Sequence, residues 1–457
     1  MNIIICGAGR VGFTIAKLLS DQNHSITIID QSSDDIQKIN ETLDVKAIVG
    51  KATSPAILEK ANIADANMII AVTRNDEINM LICQIAYSLF KTPKKIARIR
   101  AQEYLDPKFS QLFNKENLPI DFVISPEIEI AKSIHRKLES PGASDNVPFA
   151  SNNIRLLEIL VDERCPIKNI KLNELTKKFP KLNANILGVV RDNNFIFLKK
   201  NDVLKKNDKA YIAINALQIQ ETLEAFGHND PISKKILLIG GGNIGFNLAK
   251  SIEFSTNDTR LKIIEKNKER AEFLASELSN TIVINGNGLD EEVLKEANLD
   301  ETETVIALTN DDEDNLMVGV LVEKFSQNKR TMVLTTKPNY SLLQTSLNID
   351  DLIDPRMNTV SSILKHVHKG TIESAYSILN GEYEVIEAEI IETSDLINKE
   401  LKNADLPDEI KIGAVLRGKE VIIPRSNYVF KKNDIIVLIA KKDQIPLVEN
   451  IFRISAV

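Results

Sequence analysis

The sequence contains no tryptophan, and aromatic residues account for only 5% of its 457 positions. Aliphatic side chains must therefore form the hydrophobic cores, and the length allows roughly three or four domains. No apolar run reaches the length of about 18 residues that a membrane-spanning helix requires. The N-terminus also lacks a basic segment followed by a cleavable apolar stretch. We therefore expect a chain that neither crosses a membrane nor is exported.

Cysteine is scarce as well. Cys6, Cys83 and Cys165 are isolated, odd in number and without metal-ligand spacing. This pattern favours reduced thiols in a cytosolic protein over a disulfide framework. Cys6 falls inside a predicted strand, where we expect a small buried residue.

Basic residues are not in excess either, because the formal net charge is −7 and the isoelectric point is about 5.6. A nucleic-acid partner requires a concentrated basic face, so the charge balance argues against one. The five histidines stand beside no nucleophile pattern, and His366 and His368 have no third ligand nearby. Two surface positions on a helix are favoured there over a metal pair. We assign no catalytic residue and no metal site.

What the sequence does contain is a glycine-rich turn between two predicted strands. The apolar run Ile3–Ile5 leads into Gly7-Ala8-Gly9-Arg10-Val11-Gly12, a helical pattern follows, and a second apolar run ends at Asp30. In a dinucleotide-binding unit the first glycine permits the tight turn, the second admits a pyrophosphate, and the third lets the helix pack on the strand. A carboxylate at the end of the second strand accepts hydrogen bonds from ribose hydroxyls. The stretch therefore predicts a nucleotide-binding crevice.

Further apolar runs continue this α/β pattern. Four more strands are predicted, at Val45–Val49, Met68–Val72, Ile96–Ile99 and Ile120–Ile124. In a doubly wound parallel sheet of order 3-2-1-4-5-6, strands one and four flank the crevice where the order reverses. Thr73 and Arg74 follow the fourth strand and should stand opposite the glycine turn, and Arg98 lies in the fifth strand.

A different pattern follows this domain. Pro141–Pro148 is rich in Pro, Gly and Asn, which predicts a linker. Residues 153–228 then alternate short strands with short helices, typical of a small α+β module. We judge the module too small to be a catalytic domain with its own cleft.

The whole pattern is then repeated. Ile236–Ile239 leads into Gly240-Gly241-Gly242-Asn243-Ile244-Gly245, and the next apolar run ends at Glu265. Val305–Met317 restates Ile69–Met80 with one inserted residue. The chain is therefore one unit, duplicated. We predict two doubly wound Rossmann-type domains with parallel sheets, each followed by a small α+β domain, at 1–140, 153–228, 234–370 and 382–457.

The duplication bears on function. A hydride-transferring enzyme joins its dinucleotide domain to a larger domain that holds the substrate. Here each nucleotide-type domain is followed only by a small module, which leaves no obvious place for chemistry. Paired ligand-binding domains without chemistry suggest a sensor, in which a ligand shifts the relative orientation of domains by its differential affinity for two states.

The order of domains and several motifs closely resemble the TrkA family. Its members are cytoplasmic regulatory subunits of bacterial Trk potassium-uptake systems and are built from tandem RCK (regulator of K+ conductance) domains. The resemblance covers essentially the whole chain and rests on four motifs: Gly7 to Gly12, Ala71-Val72-Thr73 before Asp76-Glu77-Ile78-Asn79, Ile124-Ser125-Pro126-Glu127, and Pro141-Gly142-Ala143. It implies a non-enzymatic peripheral subunit on the cytoplasmic face of the inner membrane, binding NAD(H) and adenine nucleotides. Four chains would assemble into a ring beneath a potassium-conducting membrane protein.

The resemblance also implies site residues. The backbone of Gly7, Ala8, Gly9, Arg10 and Val11 would hold the pyrophosphate and Asp30 the ribose, with Thr73, Arg74 and Arg98 lining the crevice. Arg10 resembles the loop arginine that reaches a terminal phosphate in related domains. In the second half, the backbone of the glycine turn would hold the pyrophosphate and Glu265 would hold the ribose. The residues of that turn are Gly240, Gly241, Gly242, Asn243 and Ile244. Acids at Asp30 and Glu265 favour NAD over NADP, although Lys266 weakens this preference at the second site.

The chain departs from the family pattern at the third strand. The family usually has Gly-Asp-Ala there, whereas this chain has Gly50-Lys51-Ala52 and Gly286-Asn287-Gly288. The contacts on the adenosine side of both sites therefore differ from those of the family. Arg10 aligns with Asn243 and Arg98 with Leu334, so we predict tighter binding of anionic nucleotides in the first half.

Alternatives stay open at several points. Arg98 could instead pair with a carboxylate at a strand end. Asp76 and Glu77, repeated as Asp312 and Glu313, could bind a cation or simply suit a helix dipole, whereas Asn79 and Asn315 look like helix-start or interface residues. The small modules could be passive dimerisation units or could bind an effector. The competing functions are a tandem-RCK regulator of another ion transporter and an NAD-dependent oxidoreductase.

Overall fold

The computed structural model describes residues 1–21, 24–179, 182–255, 258–325, 329–344, 346–364, 366–367 and 372–452. The predicted domain ends at 370 and 457 lie outside these residues. The chain forms two compact units. One unit comprises Met1–Lys132 and Lys234–Ile363, and the other comprises Ser133–Ser233 and Leu364–Val457. Each unit therefore contains sequence from both halves of the duplication.

The first part of the chain alternates strands and helices. The strands are β1 (Asn2–Cys6), β2 (Ser25–Asp30), β3 (Lys46–Val49), β4 (Met68–Ala71), β5 (Lys94–Arg98) and β6 (Phe122–Ile124). The helices are α1 (Arg10–Asp21), α2 (Ser33–Thr42), α3 (Pro55–Lys60), α4 (Asp76–Phe90) and α5 (Pro126–Leu138). The six strands form one parallel sheet of order β3-β2-β1-β4-β5-β6, which confirms the predicted order.

The register of this sheet places the site residues at one edge. Ile5 pairs with Ile28 and with Ile70, so β1, β2 and β4 end at nearly the same level. The central strands are almost continuously apolar and buried, as expected for a parallel sheet that helices cover on both faces. Cys6 is fully buried at the end of β1, as predicted, and Cys83 and Cys165 are also free and buried.

The next part forms the first small module. Its elements are β7 (Ala143–Phe149), β8 (Ile154–Leu160), α6 (Leu172–Lys178), β9 (Ala184–Arg191), β10 (Asn194–Ile196), β11 (Lys209–Asn215) and α7 (Ile219–Ala225). The strands form an antiparallel sheet of order β10-β9-β11-β8-β7.

The predicted linker is wrong in one respect. Most of Pro141–Pro148 belongs to β7, which pairs with β8. β7 is an edge strand, so one side of it needs no N–H donors, and Pro148 is tolerated there. Composition alone does not separate such an edge strand from a connecting segment.

The second half repeats the parallel sheet. Its elements are β12 (Lys235–Ile239), α8 (Asn243–Ser255), β13 (Arg260–Glu265), α9 (Lys268–Glu277), β14 (Ile282–Asn285), α10 (Glu291–Glu296), β15 (Thr304–Ala307), α11 (Asp312–Phe325), β16 (Arg330–Leu334), β17 (Asp351–Ile353) and α12 (Pro355–Leu364). The strand order is β14-β13-β12-β15-β16-β17.

The second small module closes the chain. Its elements are β18 (Ile372–Ile378), β19 (Tyr383–Glu389), β20 (Ile410–Arg417), β21 (Glu420–Ile422), β22 (Ile435–Lys441) and α13 (Ile445–Ile451). Its antiparallel sheet has the order β18-β19-β22-β20-β21. The predicted fold class is confirmed: two Rossmann-type domains with parallel sheets, each followed by a small α+β domain.

The two small modules share one hydrophobic core within their unit. Leu187 and Tyr211 of the first module and Val385 and Val437 of the second belong to the same buried cluster. The repeated sequence Lys-Asn-Asp also has a structural explanation, because Asp208 pairs with Arg191 at 2.7 Å and Asp434 pairs with Arg417 at 2.7 Å. The duplicated residues therefore preserve, in each module, an ion pair between a half-buried arginine and a buried aspartate.

Across the part of the chain that the structure describes, no helix combines the length and the apolar character needed to span a membrane.

Candidate functional site

The first and last glycines of each turn are required by packing. Gly7 has φ +115°, and a Cβ built on it would lie 3.0 Å from the backbone N of Thr73. A Cβ on Gly12 would lie 1.8 Å from the carbonyl oxygen of Gly7. Gly240 and Gly245 repeat this arrangement, with φ +105° at Gly240 and 2.2 Å from the Gly245 Cβ to the Gly240 oxygen. No other residue fits these positions without movement of the backbone.

The middle glycine of each turn is different. A Cβ at Gly9 or at Gly242 would meet nothing within 4 Å. Both glycines line a large cavity, and the helices α1 and α8 begin directly after them. A helix N-terminus presents unpaired N–H groups and a partial positive charge. Each turn is therefore an open, electropositive cradle for an anionic group.

The acid at the end of the second strand connects two loops in each half. Asp30 accepts hydrogen bonds from the backbone N of Ala8 at 2.6 Å and of Ser32 at 2.9 Å. Glu265 accepts them from Gly241 at 2.7 Å and from Asn267 at 2.8 Å. Both acids line the cavity. The carboxylates thus hold the glycine turns in place and also stand where ribose hydroxyls are expected.

A buried asparagine organises the opposite wall of each crevice. Asn79 accepts a hydrogen bond from the Thr73 backbone N at 2.9 Å and donates to the Arg98 carbonyl oxygen at 2.9 Å. Asn315 makes the same pair of contacts with Thr309 and Leu334. The two asparagines therefore join the loop after the fourth strand to the end of the fifth strand. The sequence predicted helix-start or interface residues here, whereas Asn75 caps α4 and the two buried asparagines position Thr73 and Thr309.

Arginine side chains supply positive charge to the first crevice. Arg74 and Arg98 line the cavity together with Arg100. The Nε of Arg98 is buried and has no hydrogen-bond partner among the described residues, and burial lowers the pKa of its guanidinium. Arg100, in contrast, pairs with Glu127 at 2.7 Å. The alternative that Arg98 simply pairs with a carboxylate therefore finds no support in the described part of the chain.

Both glycine turns open into the same cavity. It has a volume of about 1,580 Å³ and is lined by residues of both Rossmann-type sheets. Ligand pockets typically have volumes of about 300 to 1,000 Å³, so this cavity is large enough for more than one ligand. The basic residues among its described lining are Arg10, Lys51, Arg74, Arg98, Arg100, Lys266, Arg270 and Arg356.

Side chains of one half contact the other half beside this cavity. Arg10 donates a hydrogen bond from Nη1 to the hydroxyl of Thr336 at 2.7 Å, and Thr336 also lines the cavity. Asn247 donates to Gln102 at 3.1 Å. Arg10 is thus the sequence-predicted site residue whose side chain is directed to the second half.

Sequence reasoning missed two residues of the second crevice. Arg270 and Arg356 line the cavity, and Arg356 pairs with Asp354 at 2.5 Å. Arg270 stands at the position that Asp35 occupies in the first half, so a comparison of the repeats beyond the glycine turn would have found it.

The acids after the fourth strand have other partners. Asp76 accepts hydrogen bonds from the backbone N of Arg100 and of Ala101, and Asp312 accepts them from Thr336. Glu313 pairs with Lys337. Among the described residues, no three His, Cys, Asp or Glu side chains are grouped so that they could hold a metal ion. His366 lies in a turn after α12, and His368 lies outside the described residues.

Comparison with known proteins extends these observations over the whole chain. The TrkA-N domain model matches residues 3–126 and 236–355, and the TrkA-C domain model matches residues 156–227 and 385–453. The chain is 40% identical over 455 residues to the Trk system potassium uptake protein TrkA of Azorhizobium caulinodans, covering 100% of this chain and 99% of that protein. It is 34% identical over 460 residues to the TrkA of Haemophilus influenzae, with coverage of 100% and 99%.

Solved structures show the same fold at lower identity. The GsuK RCK domain aligns with a TM-score of 0.59 at 17% identity, covering 99% of this chain and 94% of that chain. The GsuK channel bound to NAD aligns with a TM-score of 0.60 at 17% identity, covering 99% and 78%. The fold and the paired glycine turns thus define a duplicated RCK protein. With the family models and the full-length relatives, the chain belongs to the TrkA family.

Proposed function

We propose that this chain is a regulatory subunit that binds NAD(H) or adenine nucleotides and gates a membrane potassium-uptake protein of the Trk type. The observation that carries the proposal is the pair of glycine turns that open, with free space above Gly9 and Gly242, into one cavity rich in arginine. The names of the full-length relatives supply the transport system. The GsuK channel, a structural neighbour that binds NAD, supplies a ligand of the expected class.

The residues present suit such a ligand. Backbone N–H groups of Gly7 to Val11 and of Gly240 to Ile244 would hold a pyrophosphate, and Asp30 and Glu265 would receive ribose hydroxyls. The unpartnered Nε of Arg98 supplies a donor for a phosphate in the first crevice, because a buried guanidinium gains most from an anionic partner. A bound nucleotide contributes negative charge and a rigid contact surface, and the chain's own groups bind and orient it.

The position of Arg10 changes the predicted difference between the two sites. The sequence assigned Arg10 to the first site, whereas its guanidinium contacts Thr336 of the second half. We infer that Arg10 serves the phosphate end of the second site, which leaves Arg74 and Arg98 to favour anionic ligands at the first. A ligand in one half is then in contact with the other half, which is the kind of connection that couples two sites.

Nucleotide titration tests the binding part of the proposal. Isothermal titration of the full chain with NADH, NAD, ATP and ADP should show two sites per chain. Gly9→Asp and Gly242→Asp place a carboxylate in open space, so each variant should fold and lose one site. Tighter binding at the first site is contradicted if Gly9→Asp leaves the NADH affinity unchanged while Gly242→Asp abolishes it.

Apolar side chains exposed on two helices support assembly of several chains. Leu81 and Leu89 on α4 are 47% and 60% exposed, and Met317 and Phe325 occupy the equivalent positions of α11 at 50% and 37%. These residues lie eight apart on each helix and so share one face. We propose that they are subunit contacts in a homotetrameric ring attached to the cytoplasmic face of the cell membrane.

Gating is tested by transport. Potassium flux through the reconstituted Trk-type membrane partner should change when this chain and its nucleotide are added, and the chain should co-purify with that partner. The matched control is the Gly9→Asp/Gly242→Asp double variant, which should still bind the partner but lose the response to nucleotide. Equal flux with the wild-type chain and the double variant at saturating nucleotide would exclude nucleotide-dependent gating.

A further inference from the structure

The ribose ends of the two crevices carry opposite charge. In the first half, Asp30 is followed five residues later by Asp35, and both line the cavity. In the second half, Glu265 is followed immediately by Lys266 and, at the position of Asp35, by Arg270. All three line the same cavity. At equivalent positions, the first half thus has two carboxylates, whereas the second half has one carboxylate and two cations.

Arg270 is held in place by the protein itself. Its Nε donates to the carbonyl oxygen of Gly241 at 2.8 Å, which fixes the guanidinium beside the glycine turn. The guanidinium also lies 5.4 Å from the ring centre of Phe246 and 4.8 Å from that of Phe273. Cation–π contacts of this kind orient an arginine without neutralising its charge. The side chain is therefore positioned before any ligand arrives.

One remaining donor atom of Arg270 lacks a hydrogen-bond acceptor. Its Nη2 is buried and has no hydrogen-bond partner among the described residues. No ion pair in the described part of the chain involves Arg270. Each Glu265 oxygen accepts a backbone N–H group, from Gly241 and from Asn267. Burial lowers the pKa of the Arg270 guanidinium, opposed by the nearby Glu265 charge. A buried donor left without a partner is unfavourable, and an anion at this position would satisfy it.

The first half shows the contrary arrangement. Asp35 lies in the first turn of α2, where its carboxylate suits the helix dipole. The first half has one basic residue at this end of the cavity, Lys51. The second half has Asn287 at the equivalent position. A phosphate on the adenosine ribose would meet two carboxylates and one lysine at this end of the first crevice. The same phosphate would meet Arg270 and Lys266 in the second.

In dinucleotide-binding folds, the acid after the second strand receives the ribose 2′-hydroxyl, and a nearby arginine accommodates a 2′-phosphate. We propose that the second crevice takes an adenine nucleotide with an additional phosphate on its adenosine ribose, of the NADP(H) class, whereas the first takes the unphosphorylated form. The inference rests on the proposed nucleotide-binding function. For the second site, this assignment replaces the preference for NAD over NADP that Glu265 alone predicted.

Titration of the full chain with NADPH and NADH tests this assignment. The Gly9→Asp variant, which retains the second site, should bind NADPH, and the Gly242→Asp variant should not. Arg270→Met keeps an aliphatic stem against the two phenylalanines and removes the charge. In the Gly9→Asp background it should weaken NADPH by about tenfold or more, the effect of one charge-assisted hydrogen bond, and NADH by much less.

Matched variants separate a specific role from a structural one. Arg270→Lys should recover part of the NADPH affinity. Lys268→Ala removes an exposed charge on the same helix but outside the cavity lining, and it should leave NADPH binding unchanged. The inference is overturned if the Gly9→Asp variant binds NADH but not NADPH, or if Arg270→Met weakens both ligands equally. Failure of the unmodified chain to bind any of NADH, NADPH, ATP and ADP would instead overturn the proposed function on which the inference rests.

Discussion

Lys411 is an ionisable residue that lies half-buried between the two small modules. Its Nζ donates to the carbonyl oxygen of Ile186 at 2.7 Å and to that of Leu198 at 3.3 Å, both in the other module. Burial lowers the pKa of Lys411 from 10.5 to about 8, and the charge of Asp202 opposes this shift. No carboxylate forms an ion pair with it in the described part of the chain. The folded state therefore holds this proton less tightly than the unfolded chain does.

The sign of the resulting pH dependence follows from proton binding. Between pH 8 and pH 10.5 the folded protein has lost the Lys411 proton while the unfolded chain retains it, so Lys411 by itself contributes a rise in the free energy of unfolding with pH. The rise from pH 7 to pH 10 should be roughly 2 kcal/mol. Lys411→Met should remove this component, which urea unfolding of wild type and variant at both pH values measures. Parallel pH profiles of the two proteins would contradict the assignment.

The residues of the site differ in how far the sequence predicts them. The glycine turns, Asp30, Glu265 and Thr73 are found where strand, turn and helix periodicity place them, because backbone geometry alone fixes those positions. The direction of Arg10 and the role of Arg270 are not predictable in this way. Both depend on contacts between the two halves or on neighbouring aromatic rings, and a single sequence does not record such contacts.

The strand–turn–helix element of each half depends on one close approach. A Cβ on Gly12 would lie 1.8 Å from the Gly7 carbonyl oxygen, whereas a Cβ on Gly9 would meet nothing within 4 Å. Gly12→Ala should therefore destabilise the protein by about 3 kcal/mol, the upper range for overpacking. Gly9→Ala is the matched control and should change stability by less than about 0.5 kcal/mol. Thermal unfolding measures both, and equal melting temperatures would refute the packing explanation.

The exposed faces of α4 and α11 give a second prediction at this scale. Leu81→Glu combined with Met317→Glu should reduce the assembled form of the protein to smaller species, because charged residues at a buried contact are strongly unfavourable. Light scattering coupled to gel filtration measures the mass. Leu217, which is 88% exposed and lies on neither helix, provides the control substitution Leu217→Glu. A variant that keeps the wild-type mass would show that these faces are not subunit contacts.

Secondary structure is predicted well where the chain is strongly periodic and poorly at edges. The central strands β1 and β4 are near-continuous apolar runs, and their existence and order follow from the sequence. β7 does not, because Pro148 and its polar neighbours resemble a linker, and only pairing with β8 makes the segment a strand.

At the scale of the whole molecule, each compact unit joins the two halves of the duplication. Asn185 of the first small module donates to the Ile412 carbonyl oxygen of the second at 3.1 Å. Tyr376 of the second donates to Asp145 of the first at 2.6 Å. The sequence predicts the duplication but not this mutual packing, since repeated domains can also form separate units.

Cleavage between the halves tests the packing directly. Residues 229–232 are exposed and connect α7 to β12, so a protease site inserted there should be cut without disturbing either sheet. The two fragments should then remain associated and elute together in gel filtration under native conditions. Separation of the fragments at micromolar concentration would show that contacts between the halves are weak.

The single cavity that receives both glycine turns has an electrostatic consequence. Two pyrophosphates confined in one chamber repel each other, and mobile cations that enter the chamber reduce that repulsion. Double occupancy should therefore respond to ionic strength more steeply than single occupancy does. A protein built in this way would register the salt content of its surroundings through the number of nucleotides it holds.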